Sequence, residues 1–104
     1  MAKYLFVYHG GGHPASKEEA AKVMAAWGKW FGSMGNAVID GGNPVGKSST
    51  VTSNGSVVSN GGANPASGYR LIEASNLDDA VAKAKQCPIL SAGGSVELAQ
   101  AMDM

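Results

Sequence analysis

Between residues 3 and 9 the chain is apolar on both sides of an extended backbone: Tyr4, Phe6 and Tyr8 point one way, Leu5 and Val7 the other. A strand with two apolar faces has to be covered on both. Ala20, Val23, Met24, Trp27, Phe31 and Met34 then recur at helical spacing, and Ser16 with Glu19 makes a Ser-x-x-Glu capping box ahead of them. Gly35 is placed to end that helix, and residues 37–40 form a short second strand. Ala21, Ala25, Gly28 and Gly32 give the helix a second face of small residues. Each interior glycine costs about 1 kcal/mol against alanine, so either good packing tolerates them or something approaches closely there.

The pattern repeats at the other end of the chain. Residues 69–74 are apolar and β-prone, and Asn76 with Asp78 and Asp79 opens a helix. Leu77, Ala80, Val81 and Ala84 form its apolar stripe, Asp79 and Lys83 sit four apart on the wet side, and Pro88 stops it. After a Ser91-Ala92-Gly93-Gly94 loop, Val96 and Leu98 alternate with Glu97 and Ala99 as in a half-buried strand. Between the two halves Gly, Ser, Asn and Pro dominate, but Thr50-Val51-Thr52 and Val57-Val58 flank Asn54-Gly55, a strong hairpin signal. The order β-α-β, hairpin, β-α-β predicts one domain over residues 1–104. Its fold is α+β and ferredoxin-like, a split β-α-β with an added hairpin and both helices on one face of an antiparallel sheet. Two helices cover one face only, so the other is expected to meet a second sheet, supplied by a homodimer.

A chain of 104 residues suits a single domain with a modest core. Net charge is zero and no Lys or Arg cluster exists, so neither nucleic acid nor an anionic membrane is an expected partner. No apolar run approaches the roughly 20 residues of a membrane span. A single cysteine, Cys87, excludes an internal disulfide, and the first strand starts where a secretion signal would lie, which predicts a cytoplasmic protein. Asn54-Gly55-Ser56 is then a turn, not a glycosylation acceptor.

Several motifs invite chemistry. Residues 41–48 match the phosphate-loop pattern, ending Gly46-Lys47-Ser48, but a hairpin is predicted next where phosphate binding needs a helix N-terminus. His9-Gly10-Gly11-Gly12 is like an oxyanion segment, but no G-x-S-x-G nucleophile accompanies it. His9 and His13 are two metal-ligand types separated by three glycines, too loosely held to predict a metal site, and no cofactor is expected. Cys87 shows no base beside it and no electropositive cluster that would mark a nucleophile, and reads as a small buried hydrophobe. Candidate catalytic groups are His9 at a strand end, Asp40 at another, and Glu97 on the face away from the helices. Met24, Trp27, Tyr69 and Cys87 are candidate ligand-binding residues.

Gly68-Tyr69-Arg70-Leu71-Ile72-Glu73-Ala74, Asn76-Leu77-Asp78-Asp79-Ala80, Cys87-Pro88 and Gly94-Ser95-Val96-Glu97 resemble the C-terminal half of YCII-related, DGPF-type proteins. Residues 24–27 and 41–44 fit as well. The resemblance implies a dimeric α+β barrel of two ferredoxin-like subunits, in a superfamily that includes small-molecule lyases, isomerases and monooxygenases. Some DGPF-type proteins are associated with alternative sigma factors, which implies a signalling role as a further option. The family's histidine on the first helix and its aspartate before a proline look like a catalytic pair; Met24 and Cys87 stand there in this chain. Neither replaces its counterpart as an acid or base of ordinary pKa. The DGPF signature itself reads Asn60-Gly61-Gly62-Ala63. The expected function is a small-molecule-binding or regulatory homodimer; the alternative is a small lyase or isomerase that works with His9, Asp40 or Glu97.

Overall fold

A computed structural model describes residues 1–12, 14–59, 62 and 64–103. Four strands, β1 (Ala2–His9), β2 (Val38–Asp40), β5 (Ala66–Ala74) and β6 (Ser95–Gln100), form one antiparallel sheet in the order β2-β5-β1-β6. That order is the ferredoxin-like split β-α-β, with β1 inserted between the two strands of the second unit. The hairpin β3 (Thr50–Val51) and β4 (Val57–Val58) stands apart as its own ribbon, turning through Gly55 at φ +85°.

Local signals account for the helix starts. Helix α1 (Lys17–Met34) begins where the Ser16 hydroxyl accepts from the Glu19 amide at 3.1 Å, while the Glu19 carboxylate reaches back to the Ala15 amide. Helix α2 (Leu77–Ala84) begins where the Asn76 side chain accepts from the Asp79 amide at 2.8 Å. After α2 the chain makes a 3-10 turn, Pro88–Ala92, which takes in Ser91 and Ala92 of the expected loop.

Strand alternation sends Tyr4, Phe6 and Tyr8 under the helices, where they pack with Trp30, Ile72, Ala74, Ala80, Ala84, Cys87 and Ile89. The Trp30 indole N–H donates to the Lys83 carbonyl at 3.0 Å, which ties α1 to the last turn of α2. The other face carries Leu5, Val7, Tyr69 and Leu71, and among the described residues no helix or strand lies over it; Leu5 is 40% exposed.

Two expectations need correction. The sheet is not closed into a barrel: β2 and β6 are its two edges and do not pair with each other. The apolar stripe of α1 is also covered over its C-terminal half only. Trp27, Trp30, Phe31 and Met34 pack on the core, whereas Val23 and Met24 lie exposed. A Cβ at Gly28 or Gly32 would meet open space, so among the described residues no backbone approaches these two glycines.

Candidate functional site

His9 ends β1 and faces away from the helices. In the β1-β6 register it lies opposite Ser95, and Val7 lies opposite Glu97, so His9 and Glu97 are diagonal neighbours on one face. Their side chains meet, with Nε2 of His9 3.0 Å from Oε1 of Glu97. On the other side of the ring, Nδ1 faces the carbonyls of Asn64 at 2.9 Å and Pro65 at 3.2 Å. Close backbone contact holds this end of the sheet together: a Cβ at Gly94 would come within 2.6 Å of the His9 carbonyl. Glycine is what fits there.

Both ring nitrogens therefore point at acceptors, a setting that suits the doubly protonated imidazolium. The hydrogen bond to Glu97 is the main cause of a His9 pKa above the ordinary imidazole value, helped by the two carbonyls and opposed by desolvation. Burial is unequal across the pair: His9 is 8% exposed, but the Glu97 side chain is 71% exposed. The carboxylate is the group that a solute can reach, with the imidazole fixed behind it.

The remaining candidates do not gather around this pair. Asp40 lies on β2, the opposite edge of the sheet, where its side chain accepts from the Gly42 amide at 2.8 Å and shapes a turn. Gly42 itself has φ +60°, and a Cβ there would overlap the Tyr69 carbonyl. Tyr69 is half-buried on the open face, and its hydroxyl takes a long 3.4 Å bond from the Asn43 side chain. Met24 is 75% exposed on α1. Trp27 packs edge-on against Tyr8 with ring centres 5.2 Å apart. Cys87 is buried in the core, where burial is the main cause that pushes its thiol up to about 11. At that value it is no nucleophile near neutral pH. His13 and three residues of the DGPF-aligned segment, Asn60, Gly61 and Ala63, lie outside the described residues.

The phosphate-loop match is used differently. Asn43 and Val45 pair with the backbone of Tyr69 and Ser67, Pro44 bridges Gly68, and the strand β3 follows Ser48 closely. Two surface concavities lie elsewhere. One of about 440 Å³ is formed by the chain ends around Lys3, Gln100 and Asp103; an apolar one of about 180 Å³ lies between α2 and β6 at Val81, Leu90 and Leu98. No helix among the described residues is long and apolar enough to cross a membrane.

Sequence reasoning treated one polar residue only as part of a strand. Arg70 shares strand parity with Gly68 and Ile72, so its side chain enters the helix-covered face among Tyr8, Trp27 and Phe31. An arginine at an inward position of an apolar strand is the signal that marks it.

No family model matches the chain, and no curated protein matches it. Among solved structures, it is similar to the 5-chloro-2-hydroxyhydroquinone dehydrochlorinase of Burkholderia phenoliruptrix in complex with 2,5-dihydroxybenzoquinone. The TM-score is 0.54 at 18% identity, over 94% of this chain and 93% of that one. At this identity the likeness shows the shared fold alone and assigns no family.

Proposed function

We propose that this protein is a small acid–base enzyme of the lyase or isomerase kind, acting on a small molecule. Glu97 is the general base that touches the substrate, and His9 is the positioning residue behind it. The observation that carries this reading is the 3.0 Å pair itself, a solvent-facing carboxylate held by a buried imidazole that two backbone carbonyls lock in place. Such an arrangement fixes a carboxylate in one orientation, which general base catalysis needs. In an elimination, Glu97 takes a proton from the substrate, the electrons of that bond form the new π bond, and the leaving group departs with its own pair. Of the two functions expected from the sequence this is the alternative, and the shared fold of the dehydrochlorinase supports it.

The first substrate to try is 5-chloro-2-hydroxyhydroquinone, with chloride release as the readout. Glu97→Gln keeps the shape and removes the base, so turnover should fall by about 100-fold or more. His9→Ala should both lower the rate and flatten its pH profile, and Lys47→Ala should change neither. Equal chloride release by the protein and by Glu97→Gln would reject this assignment.

A second reading, a small-molecule-binding or regulatory homodimer, rests on the uncovered apolar face at Leu5, Val7, Tyr69 and Leu71. A second copy of this chain is the occupant we infer for it, since each copy offers the same self-complementary apolar patch. Sedimentation at micromolar concentration should give a dimer that Leu71→Asp returns to monomer. A monomer at every concentration removes this reading and leaves the acid–base assignment standing.

A further inference from the structure

The helix-covered face holds a cation that the His9–Glu97 pair does not involve. The guanidinium carbon of Arg70 stands 4.1 Å from the ring centre of Phe31, 5.7 Å from that of Trp27 and 5.8 Å from that of Tyr8. Cation–π attraction offsets part of the cost of drawing the charge out of water. The hydrogen-bonding side of the group is another matter. The hydroxyl of Tyr8 lies beside the Arg70 guanidinium, but neither it nor Nε of Arg70, both buried, makes a hydrogen bond of good geometry. Nη1 makes one long 3.5 Å contact to the Tyr69 carbonyl. Among the described residues the ion pairs are His9–Glu97 and Asp79–Lys83, so no carboxylate answers Arg70.

Each buried donor left without an acceptor costs about 1–3 kcal/mol. Two such groups on the same side of the sheet, both with protons to give and one with a full positive charge, are complementary to an anion. The shape of that anion follows from the donors. The planar edge of a guanidinium matches the two in-plane oxygens of a carboxylate, and a single negative charge neutralises the half-buried Arg70 without leaving surplus charge there. A dianion would leave such a surplus. The surrounding rings of Trp27 and Phe31 favour an apolar body on the ligand. Arg70, Trp27 and Phe31 are each only half-buried, which leaves an approach from solvent.

We propose that Arg70 and Tyr8 form a binding site for a small planar carboxylate with an apolar body, on the face of the sheet opposite to Glu97. Arg70 takes the carboxylate through its fork, and the Tyr8 hydroxyl donates to one of its oxygens. This site does not depend on the acid–base assignment.

Benzoate is the probe, titrated into the protein by calorimetry and followed in parallel through tryptophan emission, since the chain has only Trp27 and Trp30. Saturable binding at one benzoate per chain is expected. Arg70→Lys keeps the charge but loses the fork, and should weaken binding at least about tenfold. Tyr8→Phe, which keeps the ring, should weaken it roughly fivefold. Benzamide has the same shape without the charge and should bind the unaltered protein at least about tenfold more weakly than benzoate, a comparison that needs no variant to fold. Any of three results overturns the proposal: no saturable benzoate binding, equal affinity for benzoate and benzamide, or competition by inorganic phosphate at matched concentration.

Discussion

The two faces of the four-stranded sheet are built from alternate residues of the same strands, yet they have opposite fates. On one, Phe6 and Ile72 are fully buried beneath the helices; on the other, Leu5 and Leu71 lie beside them in sequence and remain partly in water. Their polar groups differ in the same way. The open face carries His9 and Glu97, which satisfy each other, while on the covered face Nε of Arg70 and the hydroxyl of Tyr8 are buried without a well-formed hydrogen bond. An open face can bring its polar groups to solvent, so a pair that forms there positions a carboxylate for something outside. Under the helices a buried donor reaches less water, and an unanswered one calls for a partner that fits.

Truncation on the two faces should show the largest contrast. Phe6→Ala empties a fully buried site and should cost about 3–5 kcal/mol in urea unfolding, whereas Leu5→Ala should cost under about 1 kcal/mol in a monomer. If both cost the same, the open face is covered in solution, and the contrast turns into evidence for a second copy.

Loosening the cover itself should have a smaller effect. Asn76→Ala removes the acceptor for the Asp79 amide and should cost about 1 kcal/mol, read as a lower thermal midpoint. Because α2 forms part of the covering layer, Trp30 emission should shift in this variant before Leu5 or Leu71 contacts change. A loss no larger than a few tenths of a kcal/mol would mean that packing, and not the cap, holds this helix.

The smallest effect is expected from pH. The folded-state pKa of His9 lies above 6.5, so its contribution is fully present below that value and is lost as pH rises through the higher folded pKa. With Glu97 mostly exposed, the amount should stay under about 1 kcal/mol. Ring titration by NMR should place His9 above the ordinary imidazole value, and Glu97→Gln should bring it down. A His9 that titrates at or below 6.5 in the unaltered protein contradicts the pairing.

The amino-acid sequence by itself determined the elements, because the forces that set them act within a few residues. Ser16 with Glu19, Asn76 with Asp79, the Asn54-Gly55 turn and the two alternations in β1 and β6 each settle local backbone geometry, and they placed the strands, the helices and the ribbon. The split β-α-β order followed from that succession. Only the tertiary structure decided what meets what. His9 and Glu97 lie 88 positions apart, and the antiparallel register of two strands is what makes them neighbours. Asp40, the other acid that the sequence places in a strand, went to the far edge for the same reason. Met24 sits on the expected stripe, but how far a helix overlies its sheet is a matter of packing, and that left it in solvent. Barrel closure depends on strand number and edge pairing across the whole sheet, which no local pattern encodes, and the sheet stayed open. Arg70 shows the limit most plainly: its inward parity was readable, but the missing partner became visible only once the burial of its Nε was known.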